Sequence, residues 1–241
     1  MKISVIVPAF NEEKLLGASL EAIKSAAGVF ATRGWGFELI VCDNNSTDRT
    51  GEIARAAGAT VVFEPINQIG RARNAGAAAA TGDWLIFVDA DSQPSAGLFD
   101  DVAEQILTGK YLAGGSTLQL DSKDFTANAI VGLWKLISRW MCMMAGAFIF
   151  VEAAAFRRIG GFSNKLFAAE ELDLSQRLKQ LGRETGKKMI ILHRHPLTTS
   201  ARKLKLYTPR ELLGFFARTV LNHRQTLSSS DKAYLWYDGR R

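Results

Sequence analysis

Two aspartates separated by a single residue, Asp89 and Asp91, stand directly behind the apolar run Leu85-Ile86-Phe87-Val88. Two carboxylates side by side at the end of a buried strand repel each other unless a cation offsets them. A hard divalent ion, Mg²⁺ or Mn²⁺, can do this. It takes oxygen from one or two carboxylates and leaves the rest of its octahedron to phosphate oxygens and water. Asp-x-Asp alone is a weak signal, because turns and helix caps use aspartate freely. Its company strengthens it: Pro8-Ala9-Phe10-Asn11-Glu12-Glu13 and Asp43-Asn44-Asn45-Ser46-Thr47-Asp48 also follow apolar runs.

Those runs, at 3–7, 38–42, 60–63 and 84–88, are rich in Val, Ile and Phe and read as buried strands. Between and after them, helical patterns cover Glu12–Ala31, Asp48–Ala57, Gln68–Ala80 and Ala96–Thr108. The alternation predicts a mostly parallel sheet with helices on both faces. Ligands of such sheets bind in the crevice beyond the carboxyl ends of the strands. Three polar clusters at three strand ends therefore point to one site. Further on, the patterns predict a strand over Leu112–Leu120 and an apolar helix over Phe125–Met144. A short helix closed by a glycine turn follows at 155–162. Then come a helix over 170–182 capped by Gly182, a strand over 189–196 ended by Pro196, and an amphipathic helix from Pro209.

The composition is globular, with 47% hydrophobic and 22% charged residues and a net charge of +6. From Arg183 onward 13 Lys and Arg face 4 Asp and Glu, so that part carries +9 and the rest −3. Such a basic end suits a phosphate-bearing ligand or an anionic membrane surface; no nucleic-acid partner is expected. Cys42 and Cys142 have no motif spacing, which predicts neither a disulfide framework nor a metal cluster and fits a reducing cytoplasm. The chain opens at once on a strand pattern, with no signal peptide expected. The longest uncharged apolar run, Trp140–Val151, has 12 residues, against the ~20 that span a bilayer. The segment 129–151 is expected to pack on the sheet and shape the acceptor pocket; the alternative is that, with the basic tail, it rests on a membrane face and reaches a lipid-linked acceptor.

No glycine lies between Val7 and Leu16, so the dinucleotide fingerprint is excluded, and there is no Walker lysine loop. A nucleotide here needs another means of neutralising its phosphates. The ordered set "VIVPAFNEE", "VCDNNSTDRT", "GRARNAGAAAATGDWLIFVDADSQP", "GGF" and "EELDLSQRL" resembles the family 2 glycosyltransferases of the GT-A fold, over residues 1 to about 200. The resemblance implies one GT-A domain over 1–241. Its donor half would be 1–110 and its acceptor half 111–200, with a basic loop and helix over 201–241.

For the site, the resemblance implies a nucleoside pocket walled by Pro8, Ala9, Phe10 and Glu12, with Asp43 accepting a hydrogen bond from the base. Many relatives carry a second aspartate where Asn44 stands. Ser46 and Asp48 are expected to cap the helix that begins near Thr47. Arg73 is expected to reach the base or the phosphates, and Asn74 and Gly76 to let their helix pack close to the sheet. Asp89 and Ala90 would contact the donor, Asp89 through a ribose or sugar hydroxyl, and Asp91 would hold the metal. His193, with His195 on the same strand face as its rival, is expected as a further metal ligand. The family uses an Asp behind a Glu as general base. Here the pair is Glu170-Glu171, so Glu171 takes that position, with Glu170 and Asp173 as rivals. Arg202, Lys203 and Lys205 would close over the donor.

The expected activity is transfer of a sugar, with inversion, from a nucleoside-diphosphate sugar (UDP favoured over GDP) to an acceptor hydroxyl on a sugar, a lipid-linked group or a small molecule. It would depend on Mn²⁺ or Mg²⁺ and take place in the cytoplasm or peripherally at the inner membrane face. Two alternatives stand beside it: a nucleotidyltransferase on the same fold, and a nucleotide-sugar-binding protein without turnover.

Overall fold

The computed structural model describes residues 1–121, 144, 146–166 and 170–202. The helix expected over Phe125–Met144, save Met144, and the tail with Lys203, Lys205 and the helix from Pro209 lie outside the described residues, as does Cys142.

Four strands form the first half of one sheet: β1 (Lys2–Ala9), β2 (Gly36–Asp43), β3 (Thr60–Phe63) and β4 (Trp84–Val88). β1 lies between β2 and β4, with β3 outside β2, and all three pairings are parallel. β5 (Ser92–Gln93), β6 (Tyr111–Leu120), β7 (Phe148–Glu152) and β8 (Lys188–Thr199) complete an eight-stranded sheet of order β3-β2-β1-β4-β7-β6-β8-β5. β7 is antiparallel to both β4 and β6, and β6 is parallel to β8. Six strands therefore run one way, and only β7 and β5 oppose them. The sheet is mostly parallel, as expected.

Alternation along β1 separates the two faces. Ile3, Val5 and Val7 join one apolar cluster with α1 (Leu16–Ala31), α2 (Thr50–Ala56) and α4 (Ala96–Thr108). Ile6 joins the other, with α3 (Ile69–Ala79), α5 (Ala153–Arg158) and α6 (Glu170–Thr185). In α1 the buried Leu16, Leu20, Ile23, Ala27 and Phe30 recur at helical spacing and form the stripe that meets the sheet. α4 starts on Ser95, whose hydroxyl accepts from the Leu98 amide at 3.2 Å, and stops on Gly109 at φ 64°. Helices thus cover both faces. α3 packs close on the sheet: a Cβ on Gly76 would lie 2.5 Å from Ile6 Cγ2.

Two boundaries differ from the sequence expectation. α6 does not stop at Gly182 but runs to Thr185, and the left-handed residue behind it is Gly186, φ 71°. Gly182 is there for space, since a Cβ would lie 2.6 Å from the Lys187 carbonyl oxygen. Pro196 does not end β8. The register against β6 jumps from Ser116↔Leu192 to Leu118↔Leu197, so residues 193–196 bulge out of the ladder. A proline without an N–H is tolerated in such a bulge.

Candidate active site

The loops behind β1 and β2 are stitched into one wall. The Asn11 amide donates to Ser46 Oγ at 3.0 Å, the Thr47 amide to Asn11 Oδ1 at 2.8 Å, and the Glu12 amide to Thr50 Oγ1 at 2.8 Å. Asn11 and Asn45 sit at φ 52° and 63°, a left-handed conformation that asparagine tolerates better than most residues. Pro8 and Ala9 are buried in the ladder opposite Cys42 and Asp43, and Phe10 follows at the strand end. Asp43 Oδ1 accepts from the Ser46 amide at 3.0 Å. Asp48 Oδ1 accepts from the Thr50 amide at 2.9 Å and so supports the entry to α2, which begins at Thr50. Ser46 takes no part in that cap; it serves Asn11.

Asn44 has a firm role. Its Nδ2 donates to the carbonyls of Glu64 at 3.1 Å and Ile66 at 2.6 Å, and its Oδ1 accepts from the Gln68 amide at 3.0 Å. The side chain holds the loop between β3 and α3 in shape. Asn74 likewise serves a loop: it donates to the Phe162 carbonyl and accepts from the Phe162 amide, both at 2.9 Å. Gly161, φ 69°, leaves room for it, because a Cβ there would lie 2.6 Å from Asn74 Oδ1. Close packing on the sheet falls to Gly76.

Behind β4 the Asp89 amide donates to the Ala147 carbonyl and the Ser92 amide to the Asp89 carbonyl, a turn that carries Asp89, buried Ala90 and Asp91. Arg202 gathers the clusters. Its Nη2 donates to both carboxylate oxygens of buried Glu12, at 2.8 and 2.9 Å, and lies 4.0 Å from Asp91 Oδ2. Asp91 thus presents a nearly buried carboxylate whose one nearby guanidinium among the described residues is shared with Glu12, and such an oxygen donor suits a hard divalent cation. Among the described residues no three His, Cys, Asp or Glu converge as a metal cage. A cation at Asp91 would take its other ligands from phosphate and water.

His193 does not join this end of the sheet. It lies exposed in the β8 bulge and lines a groove of about 350 Å³ with Asp101 and Gln105 of α4 rather than with Asp91. Its rival His195 faces Asp101 through Nδ1 at 3.1 Å, beside Arg194, which binds the same carboxylate. The bulge breaks the strand geometry that would put both histidines on one face.

Arg73 is also placed differently from expectation. Only 1% of its side chain is exposed. Nη1 donates to Glu170 at 2.6 Å; Nη2 donates to Asp89 at 3.0 Å and to the Gly146 carbonyl at 2.8 Å. The guanidinium lies 5.2 Å over the Phe162 ring, while Nε finds no partner among the described residues. Arg73 is a buried counter-ion between the turn behind β4 and the head of α6, out of reach of a nucleobase in this conformation. That link joins residues far apart in sequence, and no local signal reveals it.

At the head of α6 the three acids separate. Glu170 is held by Arg73, and Asp173 accepts from Arg177 Nε and Nη2 at 2.9 and 2.6 Å. Glu171 forms no ion pair among the described residues. Its carboxyl lies against Gly146, where a Cβ would come within 3.5 Å of Cδ. Burial, and then the charge of Glu170, push its pKa up to about 8, against the pull of Arg73. No helix among the described residues is long and apolar enough to cross a membrane.

Residues 4–137 match the family described as glycosyl transferase family 2. The uncharacterized glycosyltransferase Rv0539 of Mycobacterium tuberculosis is 36% identical over 113 residues, 47% of either chain; this chain thus spans about half the length of the curated relatives it matches. Two solved structures share the fold. TarS 1-349 of S. aureus, in complex with UDP-GlcNAc, has a TM-score of 0.66 at 19% identity, over 100% of this chain and 74% of that one. The mannosyltransferase PcManGT of Pyrobaculum calidifontis, in complex with GDP-Man and Mn²⁺, has a TM-score of 0.64 at 19% identity, over 81% and 56%. The fold is GT-A, and because more than half of its length matches the family, the chain belongs to glycosyl transferase family 2.

Proposed function

We propose that the protein transfers a sugar from a nucleoside-diphosphate sugar to an acceptor hydroxyl with inversion at the anomeric carbon, with Glu171 as general base. One observation carries this: of the three acids at the head of α6, two are neutralised by arginines, and the third holds its proton up to about pH 8. A base that titrates near the working pH is the most effective proton acceptor. In the reaction, the acceptor oxygen bonds to the anomeric carbon while its proton passes to Glu171. The bond from that carbon to the diphosphate oxygen breaks on the opposite face.

The donor half, 1–110, would hold the nucleotide between the Pro8–Glu12 wall and Asp43, with Asp89 and Ala90 against the sugar end. Asp91 would hold Mn²⁺ or Mg²⁺, which supplies positive charge for the departing diphosphate. Arg202, already beside Asp91, would add a second positive charge there. The nucleotides named with the two structural neighbours, UDP and GDP, are both candidates, with UDP favoured. The acceptor half, 111–200, would present a hydroxyl of a sugar, a lipid-linked group or a small molecule. A cytoplasmic setting, or one peripheral to the inner membrane face, belongs to the same proposal.

Thermal unfolding with UDP or GDP, each with and without Mn²⁺, tests the donor site. A nucleotide at ~100 times its dissociation constant should stabilise by roughly 2.7 kcal/mol, a shift of roughly 5–10 °C for a chain of this size. The shift should vanish with EDTA. E171Q should keep it while losing turnover of UDP-glucose or GDP-mannose. Unchanged turnover in E171Q removes the base assignment; a nucleotidylated product in place of a glycosylated one would favour the nucleotidyltransferase reading, and binding without any turnover in the wild type would favour the binding protein.

A further inference from the structure

Three carboxylates, Asp89, Glu170 and Glu171, surround one guanidinium, and none of the three comes from the helix that supplies it. Arg73 reaches from α3 to Glu170 at 2.6 Å and to Asp89 at 3.0 Å. The Gly146 backbone touches both Arg73 and Glu171: a Cβ built on it would lie 3.2 Å from Arg73 Nη2 and 3.7 Å from Glu171 Oε1. With every group ionised the cluster carries −2, in a place where Arg73 and Glu170 are 1% and 4% exposed. Burial penalises such excess charge, so one carboxylate retains a proton. Burial pushes Glu170 up as well, against the pull of the guanidinium it sits on; that ion pair favours Glu170 as the ionised member of the two and leaves the proton on Glu171.

We propose that Glu170 and Arg73 are positioning residues for Glu171: Glu170 holds a fixed negative charge beside it, Arg73 limits that charge, and their balance sets where Glu171 exchanges its proton. Among the described residues the groups facing Glu171 are Arg73 from α3, Asp89 from the end of β4 and Glu170 from α6 itself; Asp173, further along α6, is neutralised by Arg177. Because Arg73 also binds Asp89, on the donor side, the two halves of the site share this one charge. The role in catalysis rests on Glu171 being the base proposed above, but the titration does not require turnover.

The test is a pH titration of the Glu side-chain carboxyl signals by ¹³C NMR on protein labelled at glutamate Cδ, with Glu171 assigned by its disappearance in E171Q. In the wild type that signal should titrate far above ordinary carboxylates, near 8. In E170Q it should move down by roughly one unit or more as the neighbouring charge disappears. In R73K it should move up, because lysine cannot fork between Asp89 and Glu170. Opposite displacements from the two ends of one ion pair are not produced by loosened packing. A Glu171 signal that titrates with ordinary carboxylates in the wild type, or one that stays in place in E170Q, overturns the proposal. Should E170Q fail to fold, R73K decides: an upward shift supports the proposal, and none overturns it. If Glu171 titrates as expected but E171Q still turns over, only the base assignment falls.

Discussion

Arg202 holds Glu12 across 190 residues of sequence, one guanidinium nitrogen donating to both carboxylate oxygens while standing 4.0 Å from Asp91. Glu12 belongs to the loop behind β1 and Asp91 to the turn behind β4, so this ion pair fastens the end of β8 across the mouth of the crevice. The same guanidinium lies beside Asp91, the carboxylate proposed above to hold a divalent ion.

R202A should therefore lower the melting temperature, because breaking a largely buried pair costs about 3 kcal/mol, roughly 5–10 °C here. Mn²⁺ alone should then stabilise R202A more than the wild type, since the ion at Asp91 replaces a lost positive charge. Scanning fluorimetry with and without Mn²⁺ reads both effects. Equal metal-induced shifts in the two proteins would show that Arg202 and the metal do not share Asp91.

Asn44 offers a second test, at the position where many relatives carry aspartate. It is 5% exposed and donates to two carbonyls. N44D would replace that donor by a carboxylate facing both of them. Leaving buried polar groups unmatched costs about 1–3 kcal/mol, so the urea midpoint should fall. Gln68, whose amide donates to Asn44, also donates from its side chain to Asn164 and Leu166, ahead of α6. Proteolysis of the 163–166 loop should accelerate in N44D. An unchanged urea midpoint would mean that the loop holds its shape without Asn44.

The first half of the sheet was legible because buried parallel strands write themselves as unbroken Val-, Ile- and Phe-rich runs, and the polar residues behind them could only lie at strand ends. The placement of Asp89, Asp91 and Glu171 was legible for the same reason: each sits where an element starts or stops. Arg73 was not, because "GRARNAG" is compatible with an arginine turned to the crevice or to the core. Only the distant Glu170 and Asp89 decide between them. His193 failed on a bulge, since period-2 reasoning assumes an unbroken ladder. Gly182 failed because a glycine needed for space inside a helix reads the same as one needed for a left-handed cap.

At the opposite end of the sheet, away from the site, Glu38 gives a prediction on acid stability. Partial burial raises its pKa, but Lys2 Nζ at 2.6 Å, the Ser4 hydroxyl at 2.5 Å and the Thr81 amide at 2.7 Å outweigh this and hold it at about 2, against an ordinary 4.5. A folded-state pKa below the unfolded one stabilises above the unfolded value and ceases to do so as pH falls through the folded one. The contribution is therefore complete above about pH 5, declines between 4.5 and 2, and is gone below. Screened by solvent in a pair whose Lys2 is 40% exposed, it amounts to about 1 kcal/mol. E38Q should be less stable than the wild type by up to that amount at pH 7, in urea unfolding, with the gap closing as the pH is lowered to 2.5. A gap that persisted unchanged at low pH would mean that Glu38 acts through the shape of its hydrogen bonds, which glutamine partly keeps, and not through its charge.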